Sequence, residues 1–173
     1  MADSYALIDP ATGGPPTRSA RVKMLFDYWN RMRGDRAFPS RAEIDPSEIK
    51  PILPHLMMTE ISYDPFRVRY RLVGTEIVRF AKFDFTNRYA DELEFQDVQT
   101  DDWSVFYRRV VDAGMPGFGI TSWTVEGGSP RWIEFLICPL SDDGKIIDRC
   151  VAAEDYEHMN PMQIDSLPPV SVR

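Results

Sequence analysis

The chain has 173 residues and a mass of 19.9 kDa, with 43% apolar residues, enough for one domain with its own core. A net charge of -7 and a pI near 4.9 oppose a broad attraction to nucleic-acid phosphates or anionic lipid. No apolar run approaches the ~20 residues a membrane crossing needs, and the start, MADSYALIDPATGGPP, has neither a basic region nor an apolar one, so a soluble cytoplasmic protein is expected.

Residues 1–18 carry Gly13, Gly14, Pro15 and Pro16 without an apolar period and read as a flexible arm. From Ser19 the pattern changes. Val22, Leu25, Phe26, Trp29 and Met32 recur at helical spacing, with Arg21, Lys23, Asp27, Asn30 and Arg31 on the other side and Gly34 at the stop, which predicts an amphipathic helix over residues 19–33. Such a helix is marginal alone in water, so its stripe must dock, on its own domain or on a partner or second copy. Val22, Leu25, Phe26 and Trp29 are therefore the candidate interaction residues.

Asp45, Pro46 and Glu48 form a helix-start signature, and Pro51 and Pro54 keep that turn short. A strand near Met57–Tyr63 and a second at Phe66–Val73 are joined by Asp64 and Pro65, a hairpin spacing. In the second strand Phe66, Val68, Tyr70 and Leu72 alternate with Arg67, Arg69 and Arg71, which predicts one apolar face and one guanidinium face. The arginine stripe reads as a solvated face paired with acids such as Glu60, or as a docking surface for an acidic partner. Gly74 frees the chain to turn. Residues 75–82 and 88–94 read as short helices, and 101–113 as a longer one with Trp103, Phe106, Val110 and Val111 on its apolar side, closed by Gly114 and Pro116. Strands follow at about 117–126, 131–140 and 146–154, separated by Gly127-Gly128-Ser129-Pro130 and Asp142-Asp143-Gly144-Lys145. The proline-containing tail, residues 159–173, reads as an irregular end.

The segments WNRMRGDRAFPSRAEIDPSEIKPILPHL (Trp29 to Leu56), RYRLVGTEIV (Arg69 to Val78), FTNRYADEL (Phe85 to Leu93) and the ICPL strand near Cys138 and Pro139, in that order, resemble the PAS sensory domains, and within them a stand-alone group found largely in alphaproteobacteria. The resemblance covers most of the chain. The family's usual Thr-Gly-Arg is replaced by Thr86, Asn87 and Arg88, and asparagine is the side chain that best tolerates the left-handed turn a glycine would take. The resemblance implies an α+β fold over residues 19–158: a five-stranded antiparallel sheet with helices on one face, preceded by the amphipathic helix. It implies ligand binding between helices and sheet, where Tyr70, Leu72, Phe80, Phe85, Tyr89, Trp103, Phe106, Trp123 and Phe135 are the candidates to line a cavity for a small apolar ligand; a solid core is the alternative. Tyr70, Thr121 and Ser122 would be its polar contacts.

Catalytic signatures are thin. His55 and His158 are the only histidines, and neither stands in a hydrolase or metalloprotease setting. Haem-binding PAS proteins place their ligand on a central helix, which here carries no histidine. Light-sensing relatives place a cysteine on a helix, whereas Cys138 and Cys150 fall in predicted strands as reduced, buried thiols. No catalytic residue and no metal ligand is assigned, and the cofactor is left unidentified. The expected role is a sensory or protein-interaction module in bacterial signal transduction, acting on a protein partner or as a homodimer. An isomerase or dehydratase using Asp84, Tyr89 or Asp148, or a ligand-free scaffold, is the alternative.

Overall fold

A computed structural model of the chain describes residues 4–94, 103–123, 131–156 and 171–172. The elements run β1 (Ser4–Leu7), α1 (Ala20–Arg33), a 3-10 segment at Pro46–His55, β2 (Leu56–Tyr63), β3 (Phe66–Val73), α2 (Thr75–Ala81), β4 (Leu93–Glu94), α3 (Ser104–Ala113), β5 (Gly117–Trp123), β6 (Arg131–Leu140), β7 (Arg149–Asp155) and β8 (Ser171–Val172). The main sheet is antiparallel with strand order β1-β5-β6-β7-β2-β3, so the first hairpin adjoins the last long strand as expected.

The sheet has six strands where five were expected, because Ser4–Leu7, inside the segment read as a flexible arm, pairs with β5. Gly117 makes room for it, while Gly119 makes room for the Phe135 ring of β6. A Cβ on Gly117 would lie 2.1 Å from Tyr5 Oη, and Tyr5 packs its ring 5.0 Å from Phe106 and 6.3 Å from Phe135. The tail also contributes structure: Ser171–Val172 pair with Leu93–Glu94 as a separate two-stranded ladder.

Two cores lie on opposite faces of the sheet. On the outer face α1 buries Val22, Leu25, Phe26, Tyr28 and Trp29 against Leu136, Cys138, Leu140, Val151 and Ala153 of β6 and β7. Trp29 Nε1 donates to the Pro139 carbonyl at 2.7 Å, so its one polar atom is paired within the core. Ser19 caps α1 by accepting from Val22 N, and Gly34, at φ 56, ends it. Val22, Leu25, Phe26 and Trp29 therefore seal α1 to its own sheet and present no surface to a partner, which corrects their reading as interaction residues.

On the inner face α2, α3 and the segment between α2 and β4 cover a second core containing Met57, Val68, Tyr70, Ile77, Phe80, Phe85, Trp103, Tyr107, Val110, Phe135 and Ile137. Tyr70 faces this core as expected, but Leu72 is 48% exposed. The cause is a bulge. Met58 pairs with Leu72 and Thr59 with Tyr70, leaving Arg71 as the extra residue; the alternation inverts beyond it, and Val73 rather than Leu72 packs inward. Gly74 has ordinary φ and ψ (-64, 151), and its need is steric: a Cβ there would lie 2.3 Å from the Pro54 carbonyl oxygen.

The segment 88–94 is a 3-10 turn, Ala90–Glu92, followed by β4, and α3 is shorter than the span expected from residue 101. Within α3, Tyr107 and Val110 are the buried residues, while Phe106 and Val111 are half-buried at its rim. Gly127–Pro130 and His158 lie outside the described residues.

Candidate functional site: the inner chamber

Between the helices and the sheet are two small adjoining cavities, about 20 and about 10 Å³, that share Met57, Tyr70, Trp103 and Glu154 in their walls. A water requires ~10–15 Å³, so each has room for about one water-sized guest, far below the ~300–1,000 Å³ of an ordinary ligand pocket. The sequence explains the filling. β7 brings only Cys150, Ala152 and Glu154 to this face, and the helices answer with large rings: Phe80 from α2, Phe85 from the segment after it, and Trp103 and Tyr107 from α3.

The rings meet edge-on as well as face-to-face. Tyr70 stands T-shaped to Phe85 at 4.8 Å, Trp103 T-shaped to Phe135 at 5.0 Å, and Phe80 stacks on Tyr156 at 4.0 Å and 11°. Of the nine residues expected to line a cavity, Tyr70, Phe80, Phe85, Trp103 and Phe135 do so. Phe106 packs behind this wall, 5.3 Å from Phe135. Leu72 points outward, as described. Tyr89 is also excluded: its ring lies 3.6 Å beneath the Arg67 guanidinium, which is itself clamped by Asp91 at 2.7 Å, so Tyr89 belongs to the arginine face. The side chains of Ser122 and Trp123 lie outside the described residues.

Two chamber residues were not among those candidates. Glu154 projects from β7 into both cavities, and Tyr156, just beyond the strand, donates its hydroxyl hydrogen bond to Glu154 Oε2. Burial pushes the Glu154 carboxyl up to about 7, against the lowering effect of that hydrogen bond, and pushes the Tyr156 phenol well up. The His55 imidazole is pushed down by burial and by the Arg21 charge; its Nδ1 lies 3.2 Å from the Glu154 carbonyl oxygen, so that nitrogen carries the proton. Tyr107 Oη, near Thr59, and Thr121 Oγ1 are buried without a hydrogen bond of ordinary geometry.

The next residue of β7 faces the other way. Asp155, 3% exposed, accepts from Ser19 Oγ and, at 2.6 Å, from Arg21 Nη1. Its register partner on β6, Glu134, is also buried and accepts from Thr17 Oγ1 and from the amides of Arg18 (3.2 Å) and Ser19 (3.3 Å). Two buried carboxylates thus hold the N-terminal end of α1, where backbone amides and the helix dipole favour negative charge.

The residues considered for acid-base chemistry have structural tasks. Asp84 accepts from Thr86 N and Oγ1 in an exposed turn, Tyr89 stacks under Arg67, and Asp148 sits beside Arg149 at 3.1 Å. Cys138 and Cys150 are strand residues with no exposure, their thiols pushed up by burial. Among the described residues no group of three or more His, Cys, Asp and Glu is placed to hold a metal, and no helix is long and apolar enough to cross a membrane. Asn87 takes φ 69, and its segment adds to the β3 edge through Asn87 N to Tyr70 O (2.7 Å) and Tyr70 N to Arg88 O (2.9 Å). The left-handed turn survives without glycine.

Among solved structures, the chain is similar to a light-oxygen-voltage domain studied with a flavin analogue, at 12% identity and a TM-score of 0.47, covering 64% of this chain and 84% of that one. It is also similar to an RNA-binding light-oxygen-voltage receptor (9%, TM-score 0.47, 95% of this chain and 40% of that one) and to the light state of the Aureochrome1 LOV photoreceptor (10%, TM-score 0.44, 72% and 95%). No curated protein matches the sequence. The family model described as PAS domain matches residues 17–151, from the cap of α1 into β7, and by that match the chain belongs to the PAS domain family.

Proposed function

We propose that this protein is a non-enzymatic sensory or protein-interaction module of bacterial signalling, working in the cytoplasm and passing its state to a protein partner or a second copy through α1. The observation that carries this reading is the alternation at the end of β7: Glu154 lines the chamber while Asp155 anchors the start of α1. A change in chamber occupancy or charge has to displace β7 or its neighbours, and the next residue along is the helix anchor. Both faces of the sheet are covered, so a partner reads the exposed side of α1 or a sheet edge.

Hydrogen exchange of the α1 amides tests the reading. Ile77→Ala, which enlarges the chamber, should speed α1 exchange several-fold with the fold intact, whereas Ile146→Ala, at a 57% exposed position, should leave it unchanged. Equal exchange in the wild type and the chamber variant would disconnect the chamber from α1 and remove the basis for a sensor.

A further inference from the structure

The chamber combines groups that a merely apolar pocket does not need. Five aromatic rings, from Tyr70, Phe80, Phe85, Trp103 and Tyr156, surround a space whose wall contains one carboxylate, Glu154. The remaining lining residues, Met57, Ile77, Ala81 and Ile133, are apolar. Ring faces are the negative part of an aromatic quadrupole, and a carboxylate among the rings adds a full negative charge. Glu76 and Asp155 add negative potential at Tyr156, Arg21 is paired with Asp155 at 2.6 Å, and the His55 imidazole is held toward its neutral form.

We propose that the inner chamber is a site for a small organic cation of the alkylammonium class, its charged head held among the aromatic rings and paired with Glu154. This rests on the sensory reading above and names the class of ligand it would sense; it replaces the expectation of an apolar ligand. The cavity volume of about 20 Å³ admits, with the side chains as they stand, a head about the size of one water, so the ammonium group of methylammonium fits and its methyl needs a small shift of the rings. Larger heads require the Phe80–Tyr156 stack to part, which separates α2 from the end of β7.

Proton linkage supports the geometry. Burial holds the Glu154 carboxyl near 7, so at neutral pH it is partly protonated, and a bound cation favours the ionised form and releases that proton. The titratable groups around it are Tyr156 beyond its own strand, Tyr70 on β3, Tyr107 on α3, His55 on the 3-10 segment, and, through Tyr156, Glu76 on α2 and Asp155. The Tyr107 and Tyr156 phenols are pushed up and His55 down, while the Glu154 carboxyl is pushed up to about 7.

The test uses the full chain in two-dimensional amide and indole NMR, titrated with methylammonium chloride against sodium chloride at equal ionic strength, with methanol as the neutral counterpart. A two-atom ligand gains at most ~1.5 kcal/mol per heavy atom, so dissociation constants in the millimolar range are expected. Saturable shifts at the Trp103 indole and the Glu154 and Tyr156 amides, weakened about tenfold or more in Glu154→Gln and, between pH 6 and pH 5, weakened about tenfold in the wild type, would support the site. Tyr156→Phe keeps the ring but removes the hydrogen bond that lowers the Glu154 carboxyl, so its affinity should fall at pH 6 and match the wild type at pH 9, where the carboxyl is ionised; a loss that persists at pH 9 would count against the assignment. Identical shifts from sodium chloride, equal affinity of Glu154→Gln, or the absence of saturable shifts would overturn it. Equal saturation by methanol would overturn the cation assignment while leaving the chamber as a ligand site. The sensory reading itself falls only by the α1 exchange experiment.

Discussion

Replacing Glu154 by glutamine removes one charge from the chamber and keeps an oxygen to accept from Tyr156, and its effect on stability depends on pH in a calculable way. Glu154 keeps partial exposure at the chamber wall, so the rise of its carboxyl from 4.5 to about 7 on folding, at ~1.4 kcal/mol per tenfold change, corresponds to about 3 kcal/mol at most. Below pH 4.5 the group is protonated whether the chain is folded or not, and no difference arises. Between 4.5 and 7 the unfolded chain loses the proton while the folded chain retains it, so the wild type loses stability as pH rises and the amide variant does not. His55 runs the other way, its depressed value making stability fall as pH falls through the ordinary histidine range, so the wild-type profile alone would blur the two. The difference between Glu154→Gln and wild type cancels that term. Urea unfolding followed by tryptophan fluorescence should show the variant equal to wild type at pH 4 and more stable by up to about 3 kcal/mol at pH 8. A difference that does not vary with pH, or a variant less stable at pH 8, would refute the burial of this carboxyl.

Two further perturbations test the frame around the chamber. Leu25→Ala, at a position with no exposure under α1, should cost about 2–5 kcal/mol in urea unfolding, with the cost present in the monomer at any protein concentration because the contact is within one chain; a concentration-dependent cost would place α1 across an interface instead. Gly74→Ala should cost about 3 kcal/mol or more, since its Cβ would sit 2.3 Å from a backbone oxygen, whereas Gly144→Ala, in open space but at φ 72, should cost about 1 kcal/mol; equal costs at the two sites would mean that close approach is not what requires Gly74.

The hairpin of β2 and β3, the β5–β6–β7 run and α1 were legible because each repeats its period over seven residues or more. β1 was not, because four residues beside a Gly-Pro arm carry too little alternation to outweigh their surroundings, and the glycine that seats its Tyr5, Gly117, is more than a hundred positions away. Alternation alone puts Leu72 on the wrong face, because a bulge at Arg71 breaks a pattern that looks continuous in one dimension. Glu154 and Tyr156 escape the pattern for a related reason: acids at the end of a strand ordinarily mark the return to solvent. The period was present all the same. Cys150, Ala152, Glu154 and Tyr156 occur at every second residue, and extending the strand's alternation past Ala153 would have put a carboxylate and a phenol beside Tyr70. Tyr107 was similarly available, four residues after Trp103 on the same helix face.

Under the proposed sensory role, the end of β7 is where a chamber of this size would report its state. An internal space that holds about one water cannot signal by swallowing a large ligand and swelling. It can signal through a charge, because one buried carboxylate changes its interactions by several kcal/mol between protonated and ionised forms. Glu154 is connected in three directions: its side chain to Tyr156 and the rings, its carbonyl to His55 on the segment leading into β2, and its peptide bond to Asp155 at the cap of α1. Asp155 in turn shares that cap with Glu134 on the neighbouring strand. The strand is bonded to β6 on one side and β2 on the other, so a displacement at Glu154 is not absorbed by a loose edge. The element within reach is α1, whose N-terminal end is held by hydrogen bonds and an ion pair to two acids, and it is there that a change in chamber charge should become a change in surface.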